Sequence, residues 1–193
     1  NEVVLMRGHF VNFGAEIAQM IRLAGAHVVG AGQGTGAVRR GSTVAETRCS
    51  EDELKAVIGP KTAAALYVCS HHAQQDSHVG LERFAAISHA AGVPVIVDAA
   101  AEADLTGCHA KGADLVIQSA HKFLAAPTAG IVSGRRALVE AVLAHQTGGI
   151  GRGMKVGKEG IIGALAAIRR WVEMDKAAWR QTLEARLAIA ADY

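Results

Sequence analysis

The fold is decided by two apolar runs, PVIVDAA at residues 94–100 and DLVIQSAHK at residues 114–122. Each run is short, rich in β-branched residues and bounded by turn residues, a pattern that predicts a buried strand. The first run contains Asp98, and the second leads into Ser119 and then Lys122. Strands that are apolar on both faces are typical of parallel sheets covered by helices. The two runs therefore predict an α/β fold.

Strands and helices alternate outward from these two runs. The predicted strands are Glu2–Met6, Ala26–Gly30, Thr62–Cys69, Pro94–Asp98, Asp114–Gln118 and Gly130–Ser133. The predicted helices are Asn12–Ala24, Ser50–Val57, Gly80–Ala91 and Gly134–His145, with one or two more in 158–193; residues 31–48 form a loop. Asn12 and Ser50 are suited to cap helices, and Gly25 and Gly92 to end them. This order predicts a mostly parallel, doubly wound sheet flanked by helices.

Composition narrows the class of protein. A chain of 193 residues suits one well-packed core rather than two. With 50% hydrophobic residues, 22 glycines and only 3 prolines, disordered and collagen-like classes are excluded. A net charge of +2 gives no sign of a nucleic-acid or membrane-binding surface, and no apolar run reaches the roughly 18 residues of a membrane span. We expect a cytoplasmic protein without membrane or nucleic-acid partners.

The cysteines Cys49, Cys69 and Cys108 are odd in number and unrelated in spacing. This pattern favours reduced thiols in a cytosolic protein over a disulfide framework or a zinc site. We therefore expect no disulfide and no metal.

Asp98 and Lys122 are the candidates for chemistry, because both follow buried strands, where ligands of such sheets gather. A buried carboxylate needs a partner, since an unpaired buried charge costs several kcal/mol. The protonated ring nitrogen of a cofactor is one such partner, and the amides of the next helix or loop are another. A lysine at a sheet edge can act as a nucleophile, although a lone loop lysine is ordinarily a solvated surface residue.

Five motifs carry a resemblance to a known family. They are RGHFVNFG at 7–14, SHH at 70–72, VDAAAE at 97–102, GADLVI at 112–117 and GIGRGMKVGKEG at 149–160. From Glu2 to about Trp171 the chain resembles fold type I enzymes of pyridoxal 5′-phosphate (PLP), in the selenocysteine-synthase-like branch. Within that branch it is most similar to ammonia-lyases acting on D-glucosaminate 6-phosphate. The resemblance implies PLP as cofactor, Lys122 as the Schiff-base lysine and Asp98 as the partner of the pyridine nitrogen.

Further site residues follow from position and from the resemblance. Ser70 and Ser119 lie at strand ends and are expected to bind the cofactor, Ser119 through its phosphate. His9 follows the first strand and is expected to stack on the cofactor ring, the alternative being a surface or capping histidine. His71 and His72 are candidate acid–base groups, one of which is expected to be merely structural.

The glycine-rich stretch 148–158 carries Arg152, Lys155 and Lys158. Flexible backbone with convergent cations suits an anionic substrate, because an arginine can hold a carboxylate through two bonds and a lysine can pair with phosphate. A solvated basic loop is the alternative.

The resemblance implies a PLP-dependent ammonia-lyase that eliminates water and ammonia from an anionic amino sugar acid. Two alternatives stay open: a selenocysteine-synthase-like transferase acting on seryl-tRNA, and a non-catalytic remnant of the fold. A homodimer or higher homo-oligomer is expected, because many relatives build the pocket across a subunit interface.

The expected domains are a PLP-binding large domain over residues 1–157 and a linking helix over residues 158–193. The glycine- or serine-rich loop that cradles the cofactor phosphate in this fold is not found before the first strand. We therefore expect the large domain to be incomplete at its N-terminus and the small C-terminal domain to be missing or truncated.

Overall fold

The computed structural model describes residues 1–34, the backbone of 38–39, and residues 46–70, 73 and 76–191. Within these ranges the strands are β1 Glu2–Met6, β2 Val11–Asn12, β3 His27–Ala31, β4 Val38–Arg39, β5 Thr62–Val68, β6 Val95–Asp98, β7 Leu115–Ser119 and β8 Gly130–Gly134. The α-helices are α1 Ile17–Leu23, α2 Glu51–Val57, α3 Leu81–Ala90, α4 Gly107–Ala110, α5 Arg136–Ala144, α6 Lys158–Glu173 and α7 Lys176–Ala191. Two 3₁₀ helices span Arg7–His9 and Ile150–Met154.

The main sheet confirms the predicted fold class. Its strand order among the described residues is β3-β1-β5-β6-β7-β8, and the first five strands run parallel. The strand β8 is the antiparallel member of this mostly parallel sheet: it pairs with β7, with Ser119 opposite Gly130. A parallel return needs a crossover of roughly a dozen residues or more, usually a helix, and the connection 120–129 contains no helix.

The chain forms two compact units. The first comprises Asn1–Ser119 with Gly130–Lys155, and the second comprises Ala120–Ala129 with Val156–Tyr193. In the second unit, the buried ring of Trp171 packs edge-to-face on Trp179, with ring centroids 5.1 Å apart. No helix of the described residues is both long and apolar enough to span a membrane.

The core of the first unit lies against the sheet. Its largest fully buried apolar side chains are Phe84, Leu5, Met6, Leu54, Val4, Val95, Val97 and Val116. The helix α2 begins at the predicted N-cap, where the Ser50 hydroxyl accepts from the Glu53 amide and the Glu53 carboxylate accepts from the Ser50 amide. This capping box satisfies two groups that the helix end would otherwise leave without partners.

The segment after β1 differs from the prediction of one long helix. Asn12 is not an N-cap: it lies in β2, which pairs in parallel with β4 inside the stretch predicted as a loop. The helix α1 begins only at Ile17, after Glu16. Gly14 has a φ of +123°, a conformation that a helix interior does not contain, and its amide donates to the Asn12 side chain at 3.2 Å.

Candidate functional site

Polar residues follow three neighbouring strands at the same edge of the sheet. Asp98 ends β6 and lies opposite Val68 of β5 on one side and Ile117 of β7 on the other. Ser70 therefore comes two residues after the end of β5, and Ser119 is the last residue of β7. Because the carboxyl ends of parallel strands meet at one edge, the topology brings Ser70, Asp98 and Ser119 together.

Backbone hydrogen bonds hold this edge in place. Oδ1 of Asp98 accepts from the Ala100 amide at 3.1 Å, and the Asp98 carbonyl accepts from the Cys69 amide at 2.8 Å. The Ser119 amide in turn donates to the Ala100 carbonyl at 3.3 Å. Asp98 and Ser119 are both half-buried. The three strand ends therefore form one connected set of peptides, with a carboxylate at its centre.

Ser70 is half-buried, and its carbonyl accepts from the Ala73 amide at 2.9 Å. His71 and His72, the predicted acid–base candidates, lie outside the described residues. Their roles stay predictions.

Lys122 belongs to the second unit, in a tight turn. Its side chain is exposed, and its carbonyl accepts from the Ala125 amide at 3.0 Å. Ala125 has a φ of +55°, a left-handed conformation that costs energy for any residue other than glycine. The Ala120 carbonyl accepts from Ala126, and the Ala120 amide donates to Ala129, each at 2.9 Å. The backbone around Lys122 is thus fixed although its amine reaches solvent.

The turn is attached to α6 of the same unit. Leu124 is buried, and its carbonyl accepts from the Arg170 guanidinium at 3.3 Å. A side chain at Gly163 would place its Cβ 2.5 Å from Pro127, so the turn and the helix are in close contact there. These contacts fix the backbone of the turn that carries Lys122.

His9 lies in the core of the first unit. It has no exposed surface, its ring packs edge-to-face on Tyr67 with centroids 4.5 Å apart, and its Nδ1 accepts from the Val68 amide at 3.1 Å. Burial, and then the charge of His78, lowers the pKa of His9 to about 3. The ring is therefore neutral, with its proton on Nε2. The predicted stacking on a cofactor would require an exposed face of the His9 ring, whereas the ring is fully buried here.

Sequence reasoning missed His78 and Thr47, which lie beside His9. Thr47 Oγ1 and His78 Nε2 are hydrogen-bonded at 2.8 Å, and the rings of His78 and His9 are 5.9 Å apart. A side chain at Gly8 would place its Cβ 2.1 Å from His78. Among the described residues, Nε2 of His9 has no hydrogen-bond partner. Thr47 and His78 lie in loops, where no periodic sequence pattern indicates them.

The predicted substrate-binding cations divide between the units. Arg152 lies in the 3₁₀ helix Ile150–Met154 and Lys155 follows it, both in the first unit and both exposed. Lys158 is the exposed first residue of α6 in the second unit. None of the three forms an ion pair with an acidic residue in the described part of the chain. In the same part of the chain, no group of three or more His, Cys, Asp or Glu residues could hold a metal ion.

Curated relatives carry two different activities. The chain is 42% identical over 172 residues to a D-glucosaminate-6-phosphate ammonia lyase of Salmonella typhimurium (strain 14028s / SGSC 2262), covering 89% of this chain and 43% of that protein. It is 44% identical over 173 residues to a 5′-C-glycyluridine monooxygenase-decarboxylase of a Streptomyces species, covering 89% of this chain and 40% of that protein. The chain thus spans less than half the length of these relatives.

Solved structures agree with the fold. A structure of D-glucosaminate-6-phosphate ammonia-lyase superposes with a TM-score of 0.80 at 39% identity, covering 91% of this chain and 44% of that one. A structure of SPT with its PLP internal aldimine superposes with a TM-score of 0.60 at 16% identity, covering 89% of this chain and 41% of that one, a likeness of fold alone. The predicted likeness to fold type I PLP enzymes is confirmed.

A family model described as SelA, L-seryl-tRNA selenium transferase, matches residues 1–188, nearly the whole chain. The mostly parallel sheet and the relatives above agree with this match. The chain belongs to the L-seryl-tRNA selenium transferase family.

Proposed function

We propose that the chain is the PLP-binding part of an ammonia-lyase acting on D-glucosaminate 6-phosphate or a closely related amino sugar acid. The observation that carries the proposal is the similarity to the lyase, at 42% identity in sequence and a TM-score of 0.80 in structure. The edge formed by Ser70, Asp98 and Ser119 supports it, because it supplies donors and an acceptor of the kinds that PLP needs.

The donor set fits the cofactor. Asp98 is a half-buried carboxyl group whose Oδ1 accepts from the Ala100 amide, which fixes the side chain at the strand end. Such a group would hold a proton on the pyridine nitrogen, while the hydroxyls of Ser70 and Ser119 would bind its phosphate or ring oxygen. Lys122 follows Ser119 by three residues along the chain and would supply the amine that bonds to the aldehyde. When bound, PLP supplies an electron sink for charge at the α-carbon.

Proton transfer and substrate binding would be the work of charged side chains. Nζ of Lys122 would remove the α-proton and return it to the departing 3-hydroxyl. Arg152 would hold the substrate carboxylate in bidentate fashion, with Lys155 and Lys158 as point charges for its phosphate. Water is lost in the elimination and regained in hydrolysis, so the net products are a 2-keto-3-deoxy sugar acid phosphate and ammonia.

The test uses the full-length protein. Purified protein is titrated with PLP, reduced with borohydride and digested, and the peptide that carries the cofactor is identified by mass spectrometry. We expect the label on Lys122 and formation of keto acid from D-glucosaminate 6-phosphate. A label on another lysine, or no label, would contradict the site assignment. A label on Lys122 without keto acid would contradict only the substrate.

A second candidate is favoured by the 44% identity to the monooxygenase-decarboxylase. An enzyme of that kind would consume oxygen and release carbon dioxide from 5′-C-glycyluridine, whereas the lyase reaction needs no oxygen. Incubating the full-length protein with each substrate in air and under nitrogen separates the two. Oxygen-dependent loss of 5′-C-glycyluridine, with no keto acid from the sugar phosphate, would replace the lyase by this activity.

Activity on seryl-tRNA ranks below both, since a net charge of +2 provides few phosphate contacts. Tight, salt-sensitive binding of tRNA in a filter assay would raise it. We further propose that residues 1–157 form the cofactor-binding domain and that the whole protein is a homo-oligomer.

A further inference from the structure

The turn that carries Lys122 contains a strained peptide. Ala125 has a φ of +55°, and no other non-glycine residue in the described part of the chain has a positive φ. A Cβ makes this conformation costly, so it persists only where neighbouring contacts hold it. The Ala125 amide donates to the Lys122 carbonyl at 3.0 Å. The strained peptide is thus bonded directly to the backbone of the lysine.

Arg170 of α6 holds the other side of the same peptide. The Leu124 carbonyl and the Ala125 amide belong to one peptide plane, so the direction of this carbonyl and the φ of Ala125 change together. The Arg170 guanidinium donates to the Leu124 carbonyl at 3.3 Å, although the two residues are 46 positions apart. Because Leu124 is only 3% exposed, water has little access to its carbonyl as a substitute donor. The peptide is therefore fixed at its N–H by the turn and at its C=O by α6.

The ring of Phe123 connects the turn to α7. It packs edge-to-face on Trp179, with ring centroids 6.0 Å apart and an angle of 81° between the ring planes. Trp179 packs in the same manner on Trp171, a residue of α6 that is buried. Edge-to-face pairs have a preferred geometry, so they restrict the direction of each ring. The residue directly after Lys122 is therefore attached to α6 and α7.

We propose that Arg170 and Trp179 are positioning residues for Lys122. This inference rests on the proposed function, because only a lysine that bonds to the cofactor needs a fixed direction. Arg170 acts through the carbonyl of Leu124, and Trp179 acts through the ring of Phe123. Both contacts hold the backbone that directly follows Lys122. A reacting group held in one geometry forms its bond faster, because less freedom is lost in that step.

The test measures how fast Lys122 bonds to the cofactor in the full-length protein. The wild type and the Arg170→Ala and Trp179→Leu variants are mixed with PLP, reduced with borohydride after increasing times and digested. Mass spectrometry then quantifies the label on Lys122. We expect the labelling rate to fall about tenfold in each variant, because a displacement of the reacting group on the order of 1 Å is costly. Arg169→Ala is the matched control, since Arg169 is 81% exposed and pairs with Glu173 on the same helix, and it should label at the wild-type rate.

The strain at Ala125 provides a variant that separates positioning from a general loss of stability. Glycine adopts a φ of +55° without steric cost, so the turn needs less support when Ala125 is replaced by glycine. We expect the double variant Arg170→Ala with Ala125→Gly to label Lys122 within about threefold of the wild-type rate. The same glycine should not repair Trp179→Leu, because Trp179 contacts Phe123 rather than the strained peptide. Damage to the packing of α6 would not be repaired by a change in the turn.

A labelling rate equal to that of the wild type in Arg170→Ala or Trp179→Leu would overturn the role of that residue. Slow labelling of Arg170→Ala that Ala125→Gly does not repair would also overturn the role of Arg170. Circular dichroism shows whether each variant folds, and the milder Arg170→Lys or Trp179→Phe replaces one that does not.

These milder variants should label about threefold more slowly than the wild type, and equal rates would again overturn the proposal. A wild type in which Lys122 takes up no label would contradict the proposed function and this inference together. That outcome differs from equal rates in proteins that are all labelled, which would contradict the inference alone.

Discussion

The Val68 amide donates a hydrogen bond to Nδ1 of His9 across 3.1 Å, although the two residues are 59 positions apart in sequence. This bond joins the 3₁₀ helix that follows β1 to the last residue of β5, two strands that are neighbours in the sheet. A doubly protonated imidazole cannot accept a hydrogen bond, so charging the His9 ring would leave the Val68 amide without this acceptor. The neutral state of His9 is therefore part of how this strand edge is built.

We expect the free energy of unfolding to decrease as the pH is lowered, because the unfolded chain protonates His9 more readily than the folded chain does. The folded-state pKa of about 3 lies below the ordinary value of 6.5, so the unfolded chain binds the proton first as the pH decreases. The stabilisation is fully present above pH 6.5 and is lost progressively as the pH falls toward 3. We expect the free energy of unfolding to decrease by up to about 1.4 kcal/mol per pH unit from this one group. Urea titrations between pH 7 and 5 measure the slope.

The His9→Asn protein should lack that part of the slope, while the exposed His27→Asn control should behave as the wild type. Asp114, whose pKa is lowered by its amide and cation partners against the effect of burial, loses its contribution only below about pH 4, outside this range. An unchanged slope in His9→Asn would show that the ring is not held neutral.

Replacing Lys122 by alanine should abolish both turnover and the absorbance of bound PLP, because no other amine is expected to bond to the aldehyde. The fold should be retained, since the Lys122 side chain is exposed and its fixed turn is held by backbone contacts. The exposed Lys61→Ala variant is the matched control and should keep full activity. Absorbance spectra and keto-acid assays of the wild type, Lys122→Ala and Lys61→Ala measure cofactor binding and turnover. Substantial ammonia release by Lys122→Ala would refute the proposed role of Lys122.

Replacing Asp98 by asparagine should lower turnover by about a hundredfold or more, since an amide cannot keep the ring nitrogen protonated. Asn retains an oxygen able to accept from the Ala100 amide, so stability should change little. The control is Asp52→Asn at a fully solvated position. A cofactor spectrum and rate in Asp98→Asn equal to those of the wild type would mean that Asp98 only caps the turn.

The two glycines of β8 should respond very differently to alanine. Gly134 has a φ of +145°, and a Cβ there would lie 2.0 Å from the Asp114 carbonyl oxygen, whereas a Cβ at Gly130 would meet nothing within 4 Å. We expect Gly134→Ala to cost more than about 1 kcal/mol and Gly130→Ala to cost less than that or to stabilise. Chemical denaturation of both variants measures the difference. Equal stabilities would mean that the strand end adjusts without cost.

The strands of the sheet were predictable, and their bounds differ from the predicted ones by a residue or so, because short apolar runs with glycine and charged borders have few alternatives. The cap at Ser50 was predictable for a similar reason, since both halves of the capping box lie within four residues. The direction of β8 was not predictable, because the sequence pattern of a strand does not show whether it pairs parallel or antiparallel with its neighbour. The pairing of β2 with β4 depends on residues 27 positions apart (38 − 11) and leaves no local trace.

The candidate site also contains some residues that the sequence pattern indicates and others that it does not. Asp98, Ser119 and Lys122 could be proposed from the sequence because they lie at or just after the ends of strongly patterned strands, and their roles stay predictions. The burial of His9 and its proximity to Thr47 and His78 depend on how loops return to the sheet. Such contacts join residues from distant parts of the chain, and the chain's hydrophobic pattern contains no information about them.

The strand order also constrains how the protein can be assembled during synthesis. Once β1 and β3 are paired, β5 joins the other side of β1, and β6, β7 and β8 then add one after another to the same growing side. A ribosome emitting the chain from its N-terminus thus delivers each strand to a template that is already present. At each of these stages, however, the newest strand is an edge strand with a row of open amides and carbonyls, through which two nascent copies can pair with each other.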